Sequence, residues 1–291
     1  MGLVTTAWLE QHRSDPDVRI CDVRWFLGAP ARGREAFDAG HIPGAVFVDL
    51  DTVLAAPDDG RAGRHPLPDP QVFANAMTSL GIGPDTHVVA YDDHGGAIAA
   101  RLWWLLRASG HTRVSLLDGG IRAWREAGLP LVATADGART DTHNAMPPVP
   151  ATPFDTARHI DLQSLRLQLQ DAAVTLVDAR APERYRGDVE PIDPRPGHIP
   201  GAINVPTASL LRDGCFLAPD ALREVFLAAG ITPDGPPLVA SCGSGVTACH
   251  ILFALDLCGL VPFERSLLYP GSYSEWSRRP ELPVARSETG P

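Results

Sequence analysis

His41-Ile42-Pro43-Gly44-Ala45 and His198-Ile199-Pro200-Gly201-Ala202 are the same five residues met twice in one chain. Upstream of each lies a short apolar run ending in an acid and an arginine: Val18-Arg19-Ile20-Cys21-Asp22-Val23-Arg24 and Val174-Thr175-Leu176-Val177-Asp178-Ala179-Arg180. Downstream, Gly81-Ile82-Gly83-Pro84-Asp85 corresponds to Gly230-Ile231-Thr232-Pro233-Asp234, and a Gly-x4-Trp pattern closes both halves, at Gly119 to Trp124 and at Gly271 to Trp276. Matches in the same order over such a long period indicate a duplicated domain rather than a solenoid.

Within each half, short apolar runs alternate with stretches of helical spacing. Ile20–Val23, Val46–Val48, Val88–Tyr91 and Val114–Leu117 read as buried strands, as do Leu176–Asp178, Ile203–Val205, Leu238–Ser241 and Ser266–Leu268. Pro70–Leu80, Ala97–Ser109, Ile121–Ala127, Ala218–Ala229 and Val246–Cys258 read as helices. The alternation implies an α/β fold, each half a mostly parallel sheet flanked by helices. In such sheets ligands sit beyond the C-terminal ends of the strands. The Pro-, Thr-, Ala- and Asp-rich stretch around 134–156 has linker composition, which places one domain at 1–133 and the other at 157–291.

The 291 residues are 44% hydrophobic and 21% charged, the mix of a globular protein, and the net charge of −10 argues against a nucleic-acid partner. No apolar run is long enough to span a membrane, and Met1–Thr6 carries no basic stretch leading into an apolar one, so a cytoplasmic location is expected. The five cysteines, Cys21, Cys215, Cys242, Cys249 and Cys258, are odd in number and contain no Cys-x-x-Cys pair. Neither a disulfide framework nor a metal site is expected, and no cofactor.

One cysteine stands apart. Ser241-Cys242-Gly243-Ser244-Gly245-Val246-Thr247-Ala248-Cys249 follows an apolar strand and leads into a helix. Its glycines let the backbone curl, so that successive N–H groups can point inward as an anion nest, and the following helix adds its positive end. Such a setting favours the thiolate of Cys242 and makes it a nucleophile. A cysteine phosphatase would need an arginine six residues on to grip phosphate; that residue is Ala248, and the loop holds no basic side chain.

These residues together resemble the tandem-domain rhodanese-like sulfurtransferases, over nearly the whole chain. Within that family, Gly243-Ser244 after the cysteine is similar to the 3-mercaptopyruvate branch, whereas thiosulfate-specific members usually carry Arg and Lys there. The resemblance implies a persulfide on Cys242, held by N–H groups of Gly243, Ser244, Gly245, Val246 and Thr247. The donor would be 3-mercaptopyruvate, with thiosulfate as the alternative, and the acceptor cyanide, a small thiol or thioredoxin. A non-enzymatic sulfur-carrier module is the third reading. A gap-free offset of 149 places Asp93 opposite Cys242, so the first half is expected to be catalytically silent and structural.

The resemblance also implies supporting roles. Arg180, ending the strand before the second pentapeptide, would bind the substrate anion; on the residues alone, a surface ion pair with Asp178 or Glu183 is the favoured reading. Arg184, Arg186 and Arg195 follow it, and one of them is a candidate second carboxylate clamp. Ser244, His65 and Asp51 form a candidate Ser–His–Asp relay, against the plainer reading of His65 as an exposed loop histidine. His41 and His198 occur in both halves and are expected to brace the turns. Cys249, Cys258, Trp103 and Trp104 are expected to be core; Trp276 either lines the pocket or packs behind it.

Overall fold

A computed structural model of the protein describes residues 2–134 and 151–286, so most of the expected linker lies outside the described residues. The chain divides into two compact units. The first comprises Met1–Ala56, Leu67–Phe154 and Asp213–Cys215; the second comprises Pro57–Pro66, Asp155–Arg212 and Phe216–Pro291. Boundaries drawn at 133 and 157 along the sequence therefore misassign two segments. The short segment 57–66 belongs to the second unit, although first-unit residues flank it on both sides.

The first unit contains β1 (Leu3–Val4), α1 (Thr6–His12), β2 (Val18–Asp22), α2 (Arg32–Ala39), β3 (Ala45–Phe47), α3 (Pro70–Ser79), β4 (His87–Tyr91), α4 (Ala99–Ala108), β5 (Val114–Leu117) and α5 (Gly120–Glu126). Its sheet has the order β1-β5-β4-β2-β3, with every pairing parallel. β4 is buried along its whole length, which is why its sequence is a near-continuous apolar run rather than an alternating one. Asp69 caps α3 by accepting the N–H groups of Gln71 and Val72, and Pro70 takes the first turn, where no amide donor is needed. Trp103 and Trp104 on α4 are fully buried, as expected of core residues.

The remaining elements are α6 (Leu162–Gln170), β6 (Thr175–Asp178), α7 (Pro182–Arg186), β7 (Ile203–Asn204), the two-residue strands β8 (Leu211–Arg212) and β9 (Cys215–Phe216), α8 (Pro219–Ala228), β10 (Leu238–Ser241), α9 (Ala248–Leu257), β11 (Ser266–Leu268) and α10 (Ser272–Ser277). The parallel sheet of the second unit runs β11-β10-β6-β7, which repeats β5-β4-β2-β3. α9 is apolar on all sides, and residues Ala248–Leu255 are buried.

The duplication extends to individual contacts. His41 Nδ1 lies 2.8 Å from the Phe37 carbonyl, and its ring stacks on Phe37. His198 Nδ1 lies 2.7 Å from the Tyr185 carbonyl, and its ring stacks on Tyr185. Both histidines thus brace the turn in their own half. The two closing tryptophans also act alike: Trp124 donates its indole N–H to Pro130, and Trp276 donates to Pro283. Trp276 packs in the core of the second unit with Leu176, Val239 and Tyr273. Among the described residues no helix is long and apolar enough to cross a membrane.

Candidate active site

β10 ends at Ser241, so Cys242 sits at the C-terminal edge of the sheet, and the chain turns through Gly243–Thr247 into α9. Cys242 is buried, at 2% exposure. The Gly245 N–H donates to Cys242 Sγ at 3.1 Å. Gly245 adopts φ +79°, and a Cβ there would come within 2.4 Å of the Pro270 carbonyl oxygen, so no other residue fits the turn. The backbone of Cys242 is fixed as well. Its N–H donates to Ser272 Oγ at 3.0 Å, and its carbonyl accepts the Tyr273 N–H at 3.0 Å. Ser272 holds φ +50°, a left-handed conformation that side chains adopt at a cost. Val246 is buried, and its carbonyl accepts the Cys249 N–H, while Thr247 is the N-cap residue of α9. Cys249 is fully buried, and its thiol donates to the Gly245 carbonyl at 3.4 Å.

The first half shows what this loop does with a built-in anion. Strand registers pair Asp22 with Tyr91 and Asp178 with Ser241. The structural counterpart of Cys242 is therefore Asp92, not Asp93 as a gap-free alignment implies. The second copy carries one extra residue at Pro236–Pro237, just before β10, and the offset changes there. Asp92 is fully buried. Its carboxylate accepts four backbone N–H groups, from His94 and Gly96 (both 2.8 Å), Ile98 (2.7 Å) and Ala99 (2.9 Å). A carboxylate thus fills the amide nest of the first half, which has no thiol at that position. Asp93 lies outside the nest and pairs with His94, which lifts His94 above the ordinary histidine range.

Segment 57–66 brings a histidine to the cysteine loop. His65 is buried, not an exposed loop residue, and its Nδ1 lies 2.7 Å from Ser244 Oγ. The segment is tied down along its length. Arg278 makes a bidentate pair with Asp58 (2.7 and 2.6 Å) and donates to the Ala62 carbonyl, and the Arg64 N–H donates to Ser274 Oγ at 3.1 Å. Gly63 lies so close to Gly271 that a Cβ would meet the Gly271 oxygen at 2.4 Å. Asp51 belongs to the first unit, where its carboxylate accepts the Trp25 indole N–H at 3.0 Å.

Arg180 is enclosed by partners of its own half. Its side chain is 2% exposed. Nε and Nη2 clasp Asp178 (3.1 and 2.6 Å), Nη2 also donates to the Gly197 carbonyl at 2.8 Å, and the guanidinium lies 3.9 Å from the Tyr273 ring centroid. Arg24 in the first half does the same with Asp22 (3.0 and 2.6 Å) and Gly40 (2.9 Å). A contact present in both copies serves the turn they share.

The arginines near the loop are Arg184 and Arg64. An ideal Cβ on Gly243 would lie 3.0 Å from Arg64 Nη2 and 3.6 Å from Arg184 Nη1. Arg184 donates to Glu190 (2.7 Å) and Asp193 (3.0 Å), and Arg64 pairs with the other Asp193 oxygen. Burial pushes both acids up. For Glu190 the Arg184 guanidinium and the N–H groups of Asp193 and Ile192 outweigh burial and leave it below the ordinary range; Asp193 remains raised. Arg186 instead pairs with Asp188 at the surface, and Arg195 is spent on the carbonyls of Trp276, Ser277, Arg279 and Leu282. Arg64 carried no motif signal of its own beyond its place next to His65. Among the described residues no cluster of His, Cys, Asp and Glu could hold a metal ion.

A buried thiol in an amide-lined strand-to-helix turn, on a duplicated parallel-sheet domain, defines a rhodanese-type sulfur carrier. The Rhodanese-like domain model matches residues 5–127 and 161–279, and the chain belongs to that family of sulfurtransferases. A Pseudomonas aeruginosa relative named "Probable 3-mercaptopyruvate sulfurtransferase" is 45% identical, with 98% of each chain covered. Mycobacterium tuberculosis "Putative thiosulfate sulfurtransferase SseB" is also 45% identical, over 94% of this chain and 92% of its own. The crystal structure of the 3-mercaptopyruvate enzyme SseA from Escherichia coli superimposes with a TM-score of 0.78 at 34% identity, covering 94% of this chain and 99% of that one.

Proposed function

We propose that the protein moves sulfur from 3-mercaptopyruvate through a Cys242 persulfide to a thiol or cyanide, releasing pyruvate. The observation that carries this reading is the geometry around one sulfur. Cys242 Sγ receives the Gly245 N–H at 3.1 Å, and next to it Ser244 Oγ lies 2.7 Å from a buried histidine. The amide gives the sulfur a hydrogen-bond donor, and the Ser244–His65 pair can pass a proton.

In the first half-reaction the Cys242 thiolate attacks the donor sulfur. The S–S bond forms as the C–S bond breaks, and the electron pair leaves on carbon as the pyruvate enolate. Ser244, backed by His65, delivers the proton that turns the enolate into pyruvate. In the second half-reaction an acceptor thiolate, or cyanide, attacks the outer sulfur and returns Cys242 as thiolate. The cycle is ping-pong. The acceptor class comprises cyanide, small thiols and thioredoxin.

The neutral Gly243-Ser244 pair after the cysteine favours a donor whose negative charge lies away from its sulfur, as in mercaptopyruvate. Thiosulfate concentrates its charge at the sulfur, and a relative of equal identity carries its name, so the test runs both donors. After incubation with mercaptopyruvate, intact mass should show one added sulfur on the wild type and none on Cys242→Ser. Ser244→Ala should load more slowly. Efficient loading by thiosulfate with none by mercaptopyruvate would overturn the choice of donor.

A further inference from the structure

His65 owes its place beside Ser244 to contacts made elsewhere in segment 57–66. The segment contains neither helix nor strand, and within it only Gly63 and His65 are buried. With no buried apolar side chain to anchor it, polar contacts decide whether it stays down. Arg64 pairs with Asp193, and five hydrogen bonds tie the segment to α10 and the two residues that follow it. The Arg64 N–H donates to Ser274 Oγ at 3.1 Å, and Arg279 Nη2 donates to the Arg61 carbonyl at 3.0 Å. Arg278 supplies the other three: it holds both Asp58 oxygens, at 2.7 and 2.6 Å, and the Ala62 carbonyl at 2.8 Å. Its guanidinium keeps the Asp58 carboxyl below the ordinary range, so the pair is charged at neutral pH. The first turn of α10 is bonded to the nucleophile's own loop, where the Tyr273 and Ser274 N–H groups donate to the Cys242 and Gly243 carbonyls at 3.0 and 2.8 Å. One helix of six residues thus carries the cysteine loop at its start and the histidine segment at its end.

We propose that Arg278 is a positioning residue for proton transfer: by clasping Asp58 and the Ala62 carbonyl it holds segment 57–66 on α10, and so keeps His65 Nδ1 against Ser244 Oγ. The proposal rests on the reading that Ser244 and His65 pass the proton that turns the enolate into pyruvate. Loading of Cys242 by mercaptopyruvate needs that proton. Discharge to cyanide does not: the cyanide carbon bonds to the outer sulfur with its own electron pair, the S–S bond breaks, and Cys242 leaves as thiolate. Loss of Arg278 therefore slows the first half-reaction and spares the second.

The test compares full-length wild type with Arg278→Gln, Arg278→Lys, Asp58→Asn, the double variant Asp58→Asn/Arg278→Gln and His65→Ala. Arg113→Gln, which breaks an ion pair with Asp17 in the first unit, is the control. Intact mass after rapid quenching follows loading by mercaptopyruvate, and thiocyanate formation follows discharge of the loaded enzyme to cyanide. Arg278→Gln should load about threefold to tenfold more slowly, less than the full worth of a general acid, because the segment keeps its other bonds. Lysine should restore part of the loss, as a point charge without the planar fork. The double variant should lose no more than Arg278→Gln alone, since the two changes remove one interaction. Discharge should stay within about twofold of wild type in every Arg278 and Asp58 variant, which also shows an intact sulfur site. Hydrogen exchange across 60–66 should quicken in Arg278→Gln, while that of the second sheet should not. Loading at the wild-type rate in Arg278→Gln, equal losses in loading and discharge, or a double variant that loses the product of the single losses would overturn the positioning role. Wild-type loading by His65→Ala would instead overturn the proton-passing reading. A wild type that takes no sulfur from mercaptopyruvate would overturn the donor assignment, and exchange across 60–66 would still decide whether Arg278 holds the segment.

Discussion

Replacing Asp92 tests whether the loop of this fold is an anion nest by construction. Its buried carboxylate accepts four backbone N–H groups at 2.7–2.9 Å, two on each oxygen. A hydrogen bond to a charged group contributes about 1.5–3 kcal/mol, and each buried donor left without a partner costs about 1–3 kcal/mol. The four are not additive, since one carboxylate serves them all and water entering the vacated space recovers part of the loss. Asp92→Ala should therefore destabilise the protein by about 4 kcal/mol, at the upper end of single substitutions. Asp92→Asn keeps the shape but turns an NH2 group toward two N–H donors, Ile98 and Ala99 on one edge or His94 and Gly96 on the other. Its cost should be smaller, about 2 kcal/mol. Urea unfolding gives the magnitude, and hydrogen exchange gives the place: amides 94–99 should lose protection before those of the second sheet. If both variants cost under about 1 kcal/mol, the amides do not depend on the carboxylate. The equivalent turn at Cys242 would then have no internal precedent as an anion site.

The paired arginines give a control within one chain. Arg24→Ala and Arg180→Ala should each lose about 3–5 kcal/mol in urea unfolding, because each strands a buried carboxylate; a stable Arg180→Ala with raised donor KM would restore the anion-binding role. Ser272→Gly tests positioning. It relieves the left-handed backbone at φ +50° by about 1 kcal/mol and removes two hydrogen bonds of about 1 kcal/mol each, so the protein should lose about 1 kcal/mol and its melting temperature should fall by only a few degrees. The rate of Cys242 loading should nevertheless fall, because the Cys242 N–H loses the Ser272 oxygen; an unchanged loading rate would assign Ser272 to the fold alone.

The sequence revealed what was repeated and hid what was not. The duplicated pentapeptide, the Asp-x-Arg strand ends and the closing tryptophans are legible because two copies of one turn need the same contacts. The nucleophile is legible because a strand, a glycine turn and a helix surround it. Helices α1, α2, α6, α7 and α10 leave no legible signal: they are short or largely exposed and lack a full apolar stripe. The counterpart of Cys242 was misplaced by one residue because the copies differ in length at Pro236–Pro237, and only the strand ladder fixes the register there. Segment 57–66 was invisible as part of the second unit. What places it there is a glycine-to-glycine approach at Gly63 and Gly271 and the Asp58–Arg278 pair, contacts across more than 200 residues that leave no local pattern.

Arg180 is linked to the cysteine loop by a chain of ion pairs. From the cysteine loop inward, Arg64 pairs with Asp193, Asp193 with Arg184, Arg184 with Glu190, Glu190 with Arg180, and Arg180 with Asp178 at the end of β6. Charges alternate along this chain and cancel, so the cluster can be buried without a large desolvation debt. The inner end is rigid, since Arg180 is held by a strand carboxylate, a carbonyl and an aromatic face. The outer end, Arg184 and Arg64, keeps partial exposure. The orientation of both guanidiniums is therefore fixed by buried acids. Arg180 holds Glu190, and Glu190 in turn holds Arg184. The first copy keeps the same arginine, Arg24, because the turn needs it whether or not a substrate ever arrives.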